Sequence, residues 1–161
     1  MLGSNHPEAV LAWNNLGAVF LDRGEVGRAR EYFEKAVAAA GGHLESRYNL
    51  ALILLGEGET EEAIGHLERA AAVSPNHEQV NVRLGLAYLN SGRGEDAYRS
   101  FLLVRRLYPE NWVAPLGLAV LHAANEQPEQ ARQLLEEAFA RGGGAAHQLA
   151  SGYPVLESYL N

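Results

Sequence analysis

The chain has 161 residues and is 47% hydrophobic, too apolar to stay unfolded and long enough for one sizeable core. Its formal charge is -7, from 20 acidic and 13 basic residues, so its surface should repel nucleic acid and anionic membranes. It has no cysteine, which excludes disulfides and thiolate metal sites.

Alanine, leucine, glutamate and arginine dominate, and they favour helix over sheet. No charged stretch followed by an apolar core opens the chain. Apolar runs such as "NLALILLG" (49–56) are too short to span a bilayer. A soluble, cytoplasmic protein with no membrane insertion is expected.

Residues 1–9 form a short lead-in. The first predicted helix covers roughly "PEAVLAWNNLGAVFLDR" (7–23), beginning within that lead-in, with Trp13, Leu16 and Phe20 on one face. Gly24 marks a turn, and a second helix runs through "EVGRAREYFEKAVAAA", with Ala29, Phe33 and Ala36 inward. The same pair then recurs at a step of 34 residues. Leu16, Leu50, Leu84 and Leu118 form one column; Ala29, Ala63, Ala97 and Ala131 form another. Gly24, Gly58 and Gly92 keep the step, and so do Phe33, Leu67, Phe101 and Leu135. The repeating units are 10–43, 44–77, 78–111 and 112–145, together spanning 10–145.

In the fourth unit Glu126 stands where glycine is expected, and Pro128 follows in the first turn of the second helix. Pro75 and Pro109 separate consecutive units. His43 and His77 share a column at the unit junction, where a polar residue can help end a helix. "GGG" (142–144) reads as a flexible break or an elaborate helix stop. The last segment, 146–161, contains "YPVLESYLN", a short amphipathic helix whose Leu156, Tyr159 and Leu160 could cap the last unit.

The period and the pattern Trp, Leu-Gly, Tyr, Ala, Phe, Ala, Pro resemble the tetratricopeptide repeat (TPR) family. The first unit matches with Trp13, Leu16-Gly17, Phe20, Ala29, Phe33 and Ala36, with Gly41 where proline is usual. The third matches with Leu84-Gly85, Tyr88, Ala97, Phe101 and Pro109. The fourth departs most, with Pro115 and His122 in the aromatic columns. The resemblance implies an all-α fold, a right-handed α-solenoid of four helix-turn-helix units with a C-terminal capping helix. Helix A of each unit would line a concave groove and helix B the outside. Pro7 lies in register with Gly41 at the inter-repeat position. Two readings of this remain open, an array that begins further upstream and a natural start.

"WNNLG" (13–17) places two asparagines inside a helix, where their amides compete with the backbone. The column through Asn15 continues with Asn49, Arg83 and Gly117. In some family members an asparagine ladder in this column grips the backbone of an extended peptide. An amide both donates and accepts, so it can hold backbone without selecting a sequence. On this resemblance Asn14 and Asn15 face the groove.

Chaperone-binding relatives instead clamp a terminal carboxylate with lysine, asparagine and arginine. Their five positions fall on Asn14, Ala18, Asn49, Gln79 and Arg83, of which only Asn49 and Arg83 match. Uncharged Asn14 and Gln79 replace the two lysines, which argues against a chaperone tail. Tyr48, Leu52, Val82, Leu86 and Leu89 would supply an apolar groove surface, extended by Leu116 and Val120. The expected peptide-binding set is Asn14, Asn15, Tyr48, Asn49, Leu52, Gln79, Arg83 and Leu86.

No enzyme motif is present. The six histidines form no closely spaced metal pair, and Ser151 lacks a nucleophile-elbow context. His122 reads as a substituted core aromatic. No catalytic residue, cofactor or metal is expected. The function implied is a non-catalytic scaffold holding a protein or peptide partner. The alternatives are a self-assembling structural protein, a homo-oligomer, or the docking region of a larger protein.

Overall fold

The computed structural model describes residues 7–160, and the secondary structure among them is helical throughout. Most of the lead-in expected at 1–9 lies outside the described residues, and Pro7 to Ala9 already belong to the first helix. The chain divides into two compact units, 1–75 and 76–161.

Unit 1 holds α1 (Pro7–Asp22), α2 (Val26–Ala39), α3 (Leu44–Glu57) and α4 (Thr60–Val73). α1 packs on α2, α3 on α4, and α2 also on α3. Unit 2 holds α5 (Glu78–Asn90), α6 (Gly94–Leu107), α7 (Val113–Ala124) and α8 (Pro128–Ala150), then a 3-10 segment, Pro154–Tyr159. Here α5 packs on α6 and α7 on α8, with α7 also touching α5, α6 and the 3-10 segment.

Every pair turns in the same way. The N–H groups of Glu25, Glu59, Arg93 and Gln127 reach back to the carbonyls of Phe20, Leu54, Tyr88 and His122 at 2.8–2.9 Å. This closure satisfies carbonyls that the helix end leaves open, and it needs a left-handed residue just before the donor. Gly24, Gly58 and Gly92 supply it, with φ between 74° and 83°. Glu126 takes the same place with φ 56°, so the fourth turn keeps its geometry at the cost of a strained side-chain-bearing residue.

Close approach of paired helices is encoded in two complementary columns. A Cβ on Gly17 would lie 2.6 Å from the Phe33 ring, and one on Gly85 would collide likewise with Phe101. In the other two pairs the first helix carries Ala51 or Ala119 and the second carries Leu67 or Leu135. Glycine thus goes with phenylalanine and alanine with leucine, which keeps each contact filled.

Three expectations change. Leu16 sits in a packing column yet is 40% exposed, whereas Leu50 in the same column is 2% exposed. The reason is cover: α2 lies over α3, and no described helix lies over that side of α1. His43 and His77 do not end helices; each starts one. The ring nitrogen Nδ1 of His43 accepts from the Ser46 N–H at 3.3 Å, and that of His77 from the Val80 N–H at 3.4 Å. Asn111, next in the column, accepts from the Ala114 N–H at 3.0 Å.

The "GGG" stretch is a break within α8: two helical stretches meet across a kink at Gly143 (φ 51°, ψ -132°), and the second runs on to Ala150. Gly142 beside it accommodates Trp112, whose ring lies 2.6 Å from where a Cβ would sit. The bent end of α8 and the 3-10 segment then bury Ala146, Ala150 and Leu156. Finally, Leu116 and Val120 are buried in unit 2, so they offer no open groove surface. Around them α7 packs on α5, α6, α8 and the 3-10 segment.

Candidate peptide-binding surface

The two asparagines of "WNNLG" part company. Asn14 is half-buried, and its Oδ1 lies 3.1 Å from the Ser46 hydroxyl on α3. Ser46 is fully buried and also meets His43 Nδ1 at 2.8 Å, so Asn14 belongs to a polar tie between α1 and the start of α3. That tie corrects the reading of Asn14 as a groove amide. Asn15, one residue and about 100° further round the helix, is exposed.

On α3, Tyr48, Asn49 and Leu52 are half-buried, and their spacing puts them on one side of the helix. On α5, Gln79 and Arg83 are exposed one turn apart, beside a half-buried stripe of Val82, Leu86 and Leu89. Among the described residues, the side chains of Asn15, Asn49, Gln79 and Arg83 make no hydrogen bond or ion pair within the fold. The column ends at Gly117, which is buried because the Phe101 ring fills the space a side chain would take. The structure therefore presents polar and apolar positions on the first helices of each unit but closes the column at α7.

Other polar clusters are structural and fall outside the motifs read from the sequence. Arg47 is 5% exposed and has no carboxylate partner among the described residues. Its Nε donates to the Gly41 carbonyl, and its Nη1 lies 3.2 Å from His66 Nδ1. Burial lowers the pKa of both, and for His66 the nearby guanidinium groups of Arg47 and Arg69 lower it further. Arg47 stands in the column of Trp13, where an aromatic is usual, and that substitution was the available signal.

Arg30 on α2 pairs with Glu34, Glu57 and Glu59, which raises its own pKa and, through Arg30, lowers that of Glu59. In unit 2, Glu137 bridges Arg105 at 2.6 Å and Arg141 at 2.7 Å, and the Arg105 hydrogen bond holds its carboxyl below the usual range.

Unit 2 also has an open cavity of about 840 Å³ lined by Leu89, Tyr98, Leu121 and Asn125 among others. Of the groove residues read from the sequence it shares only Leu89. Among the described residues no helix is long and apolar enough to cross a membrane, and no group of three His, Asp or Glu side chains is placed to hold a metal ion.

Comparison with known proteins places this architecture. No curated protein matches the chain. Among solved structures, MamA superposes with a TM-score of 0.76 at 22% identity, over 83% of this chain and 78% of that one. A MamA structure designated AMB-1 matches at 26% identity and TM-score 0.74, over 91% and 81%. YrrB, described as a TPR protein with an unusual peptide-binding site, matches at 24% identity and TM-score 0.77, over 91% and 75%. One tetratricopeptide repeat family model matches residues 2–43, 20–78 and 82–146, and a second matches 54–105. With the repeat columns, the paired helices and these matches in agreement, the chain belongs to the tetratricopeptide repeat family, whose members are generally protein-interaction scaffolds.

Proposed function

We propose that the chain binds an extended peptide or partner segment through the open faces of its first helices. Each unit is read as a binding surface by itself, unit 1 through Asn15, Tyr48, Asn49 and Leu52, and unit 2 through Gln79, Arg83 and Leu86. The observation that carries this reading is the column of Asn15, Asn49 and Arg83. All three share one repeat position, and among the described residues none of their side chains makes a hydrogen bond or ion pair. The amides suit a peptide backbone, and Arg83 suits a carboxylate on the ligand. The flanking Tyr48, Leu52 and Leu86 suit apolar anchors. The description of YrrB as peptide-binding is in keeping with this reading.

The test is a peptide array probed with the wild-type chain and with Asn49→Ala and Arg83→Glu, after circular dichroism has verified helix content. Peptides held by unit 1 should bind Asn49→Ala about tenfold more weakly, and those held by unit 2 should bind Arg83→Glu about tenfold more weakly, the loss of one or two good polar contacts. Equal binding by all three proteins would sink the proposal.

A further inference from the structure

The second helices of the four hairpins share an outer stripe, and α6 alone departs from it. One repeat position reads Glu34, Glu68, Leu102 and Glu136, and it lies exposed in every hairpin. About one turn further on, the column reads Ala38, Ala72, Arg106 and Ala140, again exposed throughout. About one turn earlier it reads Glu31, Gly65, Arg99 and Gln133. Three hairpins therefore fold with acidic, small or neutral residues here, whereas α6 carries arginine, leucine and arginine. Packing within the repeat does not call for that change, because the leucine position is open in each copy.

Charge identifies what the α6 stripe fits. On and beside it, Arg99, Arg105, Arg106 and Arg141 meet two carboxylates among the described residues. Glu95 pairs with Arg99 at 3.3 Å, and Glu137 is shared by Arg105 and Arg141. The side chains of Arg99 and Glu95 are 75% and 89% exposed, so that pair is weak and readily exchanged. Arg106 has no ion pair among the described residues. The result is a cationic face on a chain of net charge -7. Its surface is indented. Leu102 and Arg106 line two shallow cavities of about 380 and 540 Å³, the first reaching Glu137 and Arg141 on α8, the second bounded by Arg99 and Leu103. Leu102, 40% exposed, sits between Arg99 and Arg106 at helical spacing. A surface that complements it has an apolar side chain with a carboxylate one turn to each side, which a Glu-x-x-Leu-x-x-x-Glu helix presents on one face. A second copy offers no such surface on its second helices. The α6 stripe repels itself, and the outer columns of α2, α4 and α8 hold acid but no large apolar side chain.

We propose that the outer stripe of α6 docks an acidic amphipathic helix of a partner protein, with an apolar side chain on Leu102 and flanking carboxylates on Arg99 and Arg106. This surface shares no residue with the peptide-binding positions proposed above.

Fluorescence anisotropy with the full chain tests it. The probe is a labelled, stapled helix as long as α6, 14 residues, carrying one Glu-x-x-Leu-x-x-x-Glu stripe; its control has glutamine for both glutamates. Wild type should bind the acidic probe with a micromolar dissociation constant and the control about tenfold more weakly. Leu102→Glu and Arg106→Ala give α6 the residues that the other three hairpins carry, so folding is preserved, as circular dichroism will verify. Each should weaken the acidic probe about tenfold, and the double variant should abolish binding. Asn49→Ala should bind it as wild type does, which keeps this surface apart from the peptide-binding positions. No binding by wild type at about 1 mM overturns the proposal. So does equal affinity for the glutamine control, or a double variant that binds like wild type. Self-association, or binding to phosphatidylglycerol vesicles, that is lost in the double variant would assign the stripe to a second copy or to a membrane and overturn it as well.

Discussion

The two units follow one repeat pattern but differ in what they leave open. Unit 1 keeps its first helix bare on one side and has polar groups in its interior: the Asn14–Ser46–His43 tie and the buried Arg47 against His66. Unit 2 is closed. Its α7 is almost wholly buried, the Phe101 ring occupies the space beside Gly85 and Gly117, and the tail seals Leu156 inside. A repeat pattern therefore sets which helices pair. It does not set which faces stay free, because that depends on neighbours the repeat itself does not contain.

The sharpest way to break the comparison is to exchange the residues of one column. Gly117→Asn gives unit 2 the amide that unit 1 carries at Asn49. Its Cβ would collide with a ring that Gly85 hems in from the other side, so a loss of about 1–3 kcal/mol is expected in urea unfolding. Asn49→Gly in unit 1 should cost under about 1 kcal/mol, the difference in helix propensity. Equal losses would mean that the column is packed alike in both units.

A smaller effect, of opposite sign, is expected at the fourth turn. Glu126→Gly relieves a positive φ that the other three turns give to glycine. It should stabilise unit 2 by about 1 kcal/mol, read as a raised thermal midpoint. No gain would show that the Glu126 backbone carries no strain.

The smallest effect separates the units by acid. The folded pKa of His66 lies below its ordinary value, because the site is buried and faces Arg47 and Arg69. The unfolded chain therefore takes up its proton first as pH falls. Stability from this group is complete above about 6.5 and is lost as pH drops through the folded value. Asparagine can accept the Arg47 bond at every pH. His66→Asn should therefore flatten the loss of unfolding midpoint between pH 7 and pH 5, while wild type slopes downward. Parallel slopes would remove His66 as the cause.

Much of the fold was legible because its sharpest constraints are written in single residues. Gly24, Gly58 and Gly92 mark positive φ, and the alanine and Gly17/Gly85 columns mark close approach. The candidate site was legible in part. Asn15, Gln79 and Arg83 are exposed, while Asn49, Tyr48 and Leu52 stand half-open on α3. Asn14 misled because a polar side chain inside a helix reads the same whether it meets solvent or a buried serine 32 residues away. Leu16, Leu116 and Val120 misled for a related reason. Their own sequence signals packing or exposure, but covering segments decide between the two: among the described residues no helix lies over that side of α1, whereas α5, α6, α8 and the 3-10 segment all pack on α7.

The pairing of Gly17 with Phe33 and Gly85 with Phe101, against alanine with leucine in the other two pairs, bears on how such a chain can be rebuilt. Each hairpin brings its own matched small and large residue, and the junction of α6 and α7 adds a further match, Phe101 with Gly117. A crossover inside a hairpin joins alanine to phenylalanine, which clashes, or glycine to leucine, which leaves a hole. Recombination between neighbouring repeats is therefore penalised within a hairpin, and at the α6–α7 junction as well wherever the incoming helix carries a side chain in place of Gly117.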